Sequence, residues 1–196
     1  MRPKIIGITG GIGSGKSIVA RCLRVMGYPV YDADQRASQS LDSDPNVRMQ
    51  VMQLLGTEAY SKEGKPNRTF ISSKVFNAPQ LLAGLNHILH PVVRKDFEDW
   101  VNAHHQHPIV FKEAAILFES GAYQQVDQVI AVTAPEQIRL VRVQKRDERS
   151  EQKIKSIMAR QMDQEELVRR SDFEIINDDM TPVLPALIEL LNQLKS

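Results

Sequence analysis

The sequence predicts an α/β fold: a parallel sheet of about five strands, covered by helices in a three-layer arrangement. Three observations predict it. Short apolar runs alternate along the chain with segments of helical periodicity. A glycine-rich turn joins the first apolar run to the first helical segment. A long middle stretch, residues 36–107, carries almost no strand signal and reads as a helical insertion.

The elements follow in order. Lys4 to Thr9 is an apolar run closed by Gly10-Gly11 and reads as a buried strand. Ser17 to Met26 places Ile18, Val19, Cys22, Leu23 and Met26 on one helical stripe, stopped by Gly27. Pro29-Val30-Tyr31 is a second short strand, ending at Asp32-Ala33-Asp34. Within the insertion, Val47 to Leu55 has helical spacing and Gly56 to Asn67 reads as a loop. Leu81 to Ile88 and Val92 to Val101 read as two helices, with Pro91 in the first turn of the second. Ile109-Val110-Phe111 restarts the strand pattern, and Val126 to Val132 is its cleanest instance. Residues 136–170 are charged and helical in period. Phe173 to Ile176 is a last strand, and Thr181-Pro182 opens a terminal helix with Leu184, Leu187, Ile188, Leu191 and Leu194 on one stripe.

The 196 residues suit one domain, at ~100–200 residues per domain. Its expected parts are a core (residues 1–35, 108–138 and 172–196), the insertion (36–107) and a mobile segment (139–171). The net charge of +1 excludes a strongly basic nucleic-acid scaffold. One cysteine, Cys22, excludes an intramolecular disulfide and fits a reducing compartment. The apolar run near the start is too short for a secretory leader, and no run reaches membrane-spanning length. A cytoplasmic protein is expected, without nucleic-acid or membrane partners and with a monomer favoured. His104, His105 and His107 lack a metal-site spacing, so no metal is expected there.

Gly10-Gly11-Ile12-Gly13-Ser14-Gly15-Lys16-Ser17 fits G-x-x-x-x-G-K-[ST] in the required strand–turn–helix context. A polyphosphate needs several backbone N–H donors aimed inward, and only a glycine-rich turn wraps that closely. The following helix directs its N-terminal dipole at the anion. Lys16 supplies a cation, and the Ser17 hydroxyl suits Mg²⁺. The expected fold is therefore a three-layer P-loop NTPase, which binds a nucleoside triphosphate with Mg²⁺.

The loop does not name the reaction. A guanine-nucleotide switch would carry Asn-Lys-x-Asp, which is absent. A motor would carry an apolar strand ending in paired acids, and Phe111-Lys112-Glu113 has only one. A small kinase needs a carboxylate beside the acceptor hydroxyl and cations over the moving phosphoryl. Asp32 and Asp34 stand at a strand end, where open parallel sheets bind ligands. In extended backbone the two would share a face. Residues 139–160 hold eight Lys and Arg, including Arg139, Arg142, Arg146 and Arg149, against three acids. Such a helix could close as an Arg-rich lid and exclude water.

The ordered set of motifs resembles the dephospho-CoA kinases over almost the whole chain. It comprises Ile8 to Ser17, Val30-Tyr31-Asp32-Ala33-Asp34, His90-Pro91-Val92-Val93-Arg94, Leu117-Phe118-Glu119, Arg142 to Asp147, Gln161 and Asn177. The resemblance implies phosphorylation of the ribose 3′-hydroxyl of dephospho-CoA by ATP, giving CoA and ADP. It implies that Asp34, rather than Asp32, is the catalytic carboxylate, together with Lys16 and Arg142. It places Gly11, Ile12, Gly13, Ser14, Gly15, Lys16, Ser17 and Ile18 around the nucleotide, with Arg142 and Arg146 on the phosphates and Asn177 near the adenine. It assigns His90, Arg94, Leu117, Phe118 and Glu119 to the helical acceptor-binding side, beside Asp34. Departures are Ile18 for the usual Thr, Ala115-Ile116 for Pro-Leu, Glu113 for Asp, and Ser171 for Ala before Asp172. Two other readings remain at this point: a kinase for a nucleoside monophosphate or small metabolite, and an NTP-gated binding module.

Overall fold

The computed structural model describes residues 2–76, 78–148 and 150–195. Arg149, one of the cations of the expected lid, lies outside the described residues. The chain forms two compact units: Met1–Asp32 with Val101–Ser196, and Ala33–Trp100.

The first unit is built on a five-stranded parallel sheet. Its strands are β1 (Lys4–Thr9), β2 (Val30–Asp32), β3 (Ile109–Glu113), β4 (Gln128–Thr133) and β5 (Phe173–Ile176), in the order β2-β3-β1-β4-β5. All five residues of β3 are buried, and so are the last five of β1 and of β4. Continuous burial is what a sheet covered on both faces requires. The helices of this unit are α1 (Lys16–Val25), α6 (Glu136–Asp147), α7 (Glu151–Met158), α8 (Gln164–Arg169) and α9 (Val183–Lys195). Ile6, Ile8, Phe111, Ile130 and Val132 of the sheet pack with Val19 and Leu23 of α1 and with Leu187, Leu191 and Leu194 of α9. Fully burying one such side chain is worth about 1.5–3 kcal/mol, so this layer holds the site in place. The chain leaves β1 toward β2 and leaves β3 toward β4. These opposite exits open a crevice at the carboxyl ends of β1 and β3, the switch point where doubly wound sheets bind ligands.

The second unit is helical: α2 (Ala33–Ser43), α3 (Pro45–Leu55), α4 (Arg68–Phe76) and most of α5 (Pro79–Ala103). Asp44 caps α3, accepting from the N–H groups of Asn46 and Val47, and Pro45 takes the first turn. Leu41, Val47, Val51, Leu55, Ile71, Leu85 and Leu89 form its own core. The Tyr60 hydroxyl, held there, donates to the Leu41 carbonyl at 3.0 Å.

Four local expectations change. Residues 79–103 form one helix with Pro91 inside it, not two. Proline removes its own N–H, but Leu85, Leu89 and Phe97 are buried at spacings of four and eight, which keeps one apolar stripe in register. Asp32 and Asp34 do not share an extended segment, because β2 ends at Asp32 and α2 starts at the next residue. Alternation of faces holds only within a strand. Ile18 is half-exposed rather than on the buried face of α1. The strand expected from Val126 begins at Gln128.

Candidate active site

The loop from Gly10 to Lys16 follows β1 directly and runs into α1. Gly13 and Gly15 have φ of +80° and +94°, where a side chain is strained. Space forbids one as well. A Cβ on Gly13 would meet the Arg139 backbone, and one on Gly15 would overlap the Asn177 amide. The Ser14 N–H donates to the Gly11 carbonyl at 3.1 Å and tightens the turn.

The loop's carbonyls are tied back by side chains from distant parts of the chain. Arg139 Nε donates to the Ile12 carbonyl at 3.1 Å. Arg142 Nη1 donates to the Gly13 and Ser14 carbonyls at 3.3 and 3.4 Å. Asn177 Nδ2 donates to the Ser14 carbonyl at 2.9 Å. Asn177 is buried at the end of β5, where its backbone N–H donates to the Thr133 carbonyl. Its Oδ1 accepts from Arg142 Nη2 at 3.3 Å, and the same nitrogen pairs with Asp179 at 2.5 Å. With the carbonyls held outward, the N–H groups of Gly13, Gly15 and Ser17 have no partner among the described residues. The buried Ser14 hydroxyl has none either. Lys16 lies across the loop, its Nζ 2.7 Å from the Gly10 carbonyl. Ser17, the second residue of α1, is exposed.

At the crevice, Asp32 pairs in register with Glu113, and Glu113 pairs with Ile8 of β1. Two acids thus stand side by side at the carboxyl end of the sheet. The sequence showed Glu113 only as one acid after a lysine. Lys112 is fully buried, its Nζ donating to Gln125 Oε1 at 2.7 Å.

The segment after α7 is strapped to the core. Gln161 Oε1 accepts the Ile12 N–H at 2.7 Å, and Glu119 Oε1 accepts the Met162 N–H at 2.8 Å. Ile12 itself packs with Leu140, Val143, Ile154 and Met158 of α6 and α7. Leu117 is fully buried against Gly7, and Phe118 is buried with the Arg170 guanidinium over its ring at 4.6 Å. Arg146, one turn beyond Arg142, pairs with Asp147 at 2.6 Å on the exposed side. That partnership holds the guanidinium pKa above its ordinary value. Of Arg142 and Arg146, only Arg142 touches the loop among the described residues.

In the helical unit, Asp34 is exposed in the first turn of α2, where the helix dipole favours a carboxylate. His90 and Arg94 lie four apart on α5 and so share a face. His90 is half-buried, and desolvation lowers its pKa. Arg94 is exposed and 3.8 Å from Glu98.

The sequence pattern named the loop and Arg142, and the family resemblance named Asn177; both side chains lie against the loop's carbonyls. Sequence reading missed the bracing of Arg139 and gave Gln161 no role. The only available signal was placement on the segment that follows β4.

A parallel sheet with this loop at its switch point and an arginine-bearing helix after β4 defines the class: a P-loop kinase. A family model described as dephospho-CoA kinase matches residues 4–182. Dephospho-CoA kinase of Bacteroides fragilis strain YCH46 is 39% identical over 186 residues, covering 95% of this chain and 90% of the relative. That of Chlorobaculum tepidum is 38% identical over 197 residues, covering 97% and 94%. Among solved structures, TT1252 from Thermus thermophilus superposes with a TM-score of 0.84 at 32% identity, covering 99% of this chain and 97% of that one. The dephospho-CoA kinase from Campylobacter jejuni shares the fold, with a TM-score of 0.69 at 24% identity, over 97% and 96%. The chain belongs to the dephospho-CoA kinase family. Its reaction is the phosphorylation that completes coenzyme A biosynthesis. Among the described residues, no helix is long and apolar enough to cross a membrane.

Proposed function

We propose that ATP is the donor, that the ribose 3′-hydroxyl of dephospho-CoA is the acceptor, and that the reaction runs in the cytoplasm. One observation carries the donor side. The loop's carbonyls are tied back by Arg139, Arg142 and Asn177, while its Gly13, Gly15 and Ser17 N–H groups are left without protein partners. That arrangement suits a polyphosphate and little else. Lys16 adds the charge that loop amides lack. Ser17, Asp32 and Glu113 offer the oxygen donors that Mg²⁺ takes, and the ion when bound neutralises the phosphates.

Asp34 orients the acceptor hydroxyl and takes its proton. Its exposure and its place just beyond the end of β2 support this role. Arg142 and Arg146 stabilise charge on the moving phosphoryl. For Arg146 this means leaving Asp147, and an exposed pair is worth only about 0–1 kcal/mol. His90, Arg94 and the Leu117–Glu119 turn serve the acceptor side. Residues 36–107 act as the acceptor-binding part of one kinase domain, and residues 139–171 act as its lid.

The test is ADP release from ATP and Mg²⁺ with dephospho-CoA, set against AMP, CMP and a small sugar alcohol. Strong stimulation by dephospho-CoA alone, with CoA as product, is expected. Stimulation by another acceptor would remove the acceptor assignment. Tight ATP binding without transfer to any of them would favour a binding module.

A further inference from the structure

Arg139 is the one lid-helix arginine that the family's motifs leave without a role, and it is set differently from the others. It is only 9% exposed. Its Nε donates to the Ile12 carbonyl and its Nη1 to Gln164 Oε1 at 3.4 Å. Both acceptors are neutral. Among the described residues it forms no ion pair, and its Nη2 has no hydrogen-bond partner. The acid whose charge acts on it is Glu136, one turn earlier on α6, without a hydrogen bond or ion pair between them among the described residues. Burial lowers the guanidinium pKa, but from a value so high that the group stays charged. That guanidinium lies against Gly11, where a Cβ would stand 2.5 Å from Nη2. A buried cation without a counter-ion is costly in a resting protein. Here the cost falls beside a loop built for polyanions.

We propose that Arg139 is a positioning residue of the phosphate site: it fixes the loop's tip through the Ile12 carbonyl and holds an uncompensated positive charge that bound nucleotide phosphates balance. This rests on the ATP reading above. It separates Arg139 from Arg142, whose charge is already met by Asp179. A charge held this way must favour ligands in order of their own charge, so its contribution grows from AMP to ADP to ATP.

The experiment compares Arg139→Gln, Arg139→Lys and the unaltered protein by calorimetric binding of ATP, ADP and AMP. Gln keeps a hydrogen-bond donor and removes the charge; Lys keeps the charge. For Arg139→Gln, ATP affinity is expected to fall about tenfold, or ~1.4 kcal/mol. ADP should lose about fivefold and AMP about threefold, since the lost attraction follows ligand charge. Arg139→Lys should keep the ATP-to-AMP ratio near that of the unaltered protein. Without nucleotide, Arg139→Gln should melt no lower than the unaltered protein, because an unpaired buried charge is gone. Arg139→Met is a second neutral replacement if the Gln variant does not fold. An equal loss for all three nucleotides, or no loss for any, would overturn the proposal and leave Arg139 a brace alone. An unaltered protein that binds ATP no better than AMP would sink the nucleotide reading itself, and the proposal with it.

Discussion

The two compact units hold their candidate functional groups by different means. In the sheet unit the candidate phosphate site is mostly backbone. Loop N–H groups are aimed by side chains that reach in from α6, from the segment after α7 and from the end of β5. In the helical unit the candidate groups are side chains on regular helices, with Asp34 and Arg94 exposed and His90 half-buried. A backbone site cannot be altered without altering what braces it, so binding and folding change together. A side chain on a stable helix can be altered with little effect on the fold. For changes to the loop's own backbone in the sheet unit, nucleotide affinity and stability should therefore be coupled, and chemistry should be separable from both in the helical unit.

Three substitutions would break or sharpen that contrast. The largest effect is expected from Lys16→Ala, since the loop then keeps its amides and loses its central cation. CoA formation should fall by about 10³-fold, the scale of losing one preorganised charge-stabilising group. Steady-state kinetics would show it. Gly15→Ala comes next. It places a Cβ at φ +94° and against the Asn177 amide that holds the Ser14 carbonyl. A destabilisation of about 1–3 kcal/mol is expected, read as a lower melting midpoint. ATP affinity should fall with it, and a loss of stability with unchanged affinity would contradict the coupling. The smallest effect concerns His90. Desolvation holds its folded pKa below the ordinary 6.5, so below that pH the unfolded chain takes the proton more readily. The contribution of His90 is present above pH 6.5 and lost as pH falls through the lowered folded value. His90→Gln should flatten the stability profile over that window in urea titrations and leave ATP affinity unchanged.

Much of this was legible in the sequence because it is local. The strands show as apolar runs, and the loop shows as its own motif with the helix it opens. The resemblance to one kinase family added the acceptor. What stayed hidden is long-range. Gln161 meets Ile12 across 149 residues, Asn177 meets Ser14 across 163, and Arg139 meets Ile12 across 127. No periodicity reports such a contact. Two local features were also hidden, each because packing outweighs a local rule. α5 runs through Pro91 because one buried stripe continues past it. Asp32 and Asp34 read as neighbours on a strand, but the strand stops between them and α2 begins without a loop. That boundary weakens any choice between the two acids based on alternation and leaves their different settings to decide it. Asp32 faces Glu113 in the sheet, whereas Asp34 stands exposed at a helix N-terminus.

The most direct test of the contrast is single-turnover transfer by Asp34→Asn at saturating ATP and dephospho-CoA, with ATP affinity measured on the same preparation. Removing a general base should slow transfer by about 10²–10⁴-fold, while ATP affinity and melting midpoint stay within about twofold and a degree or two of the unaltered protein, as expected for an exposed site. Loss of ATP affinity alongside the rate, or a crippled Asp32→Asn beside an active Asp34→Asn, would contradict the account.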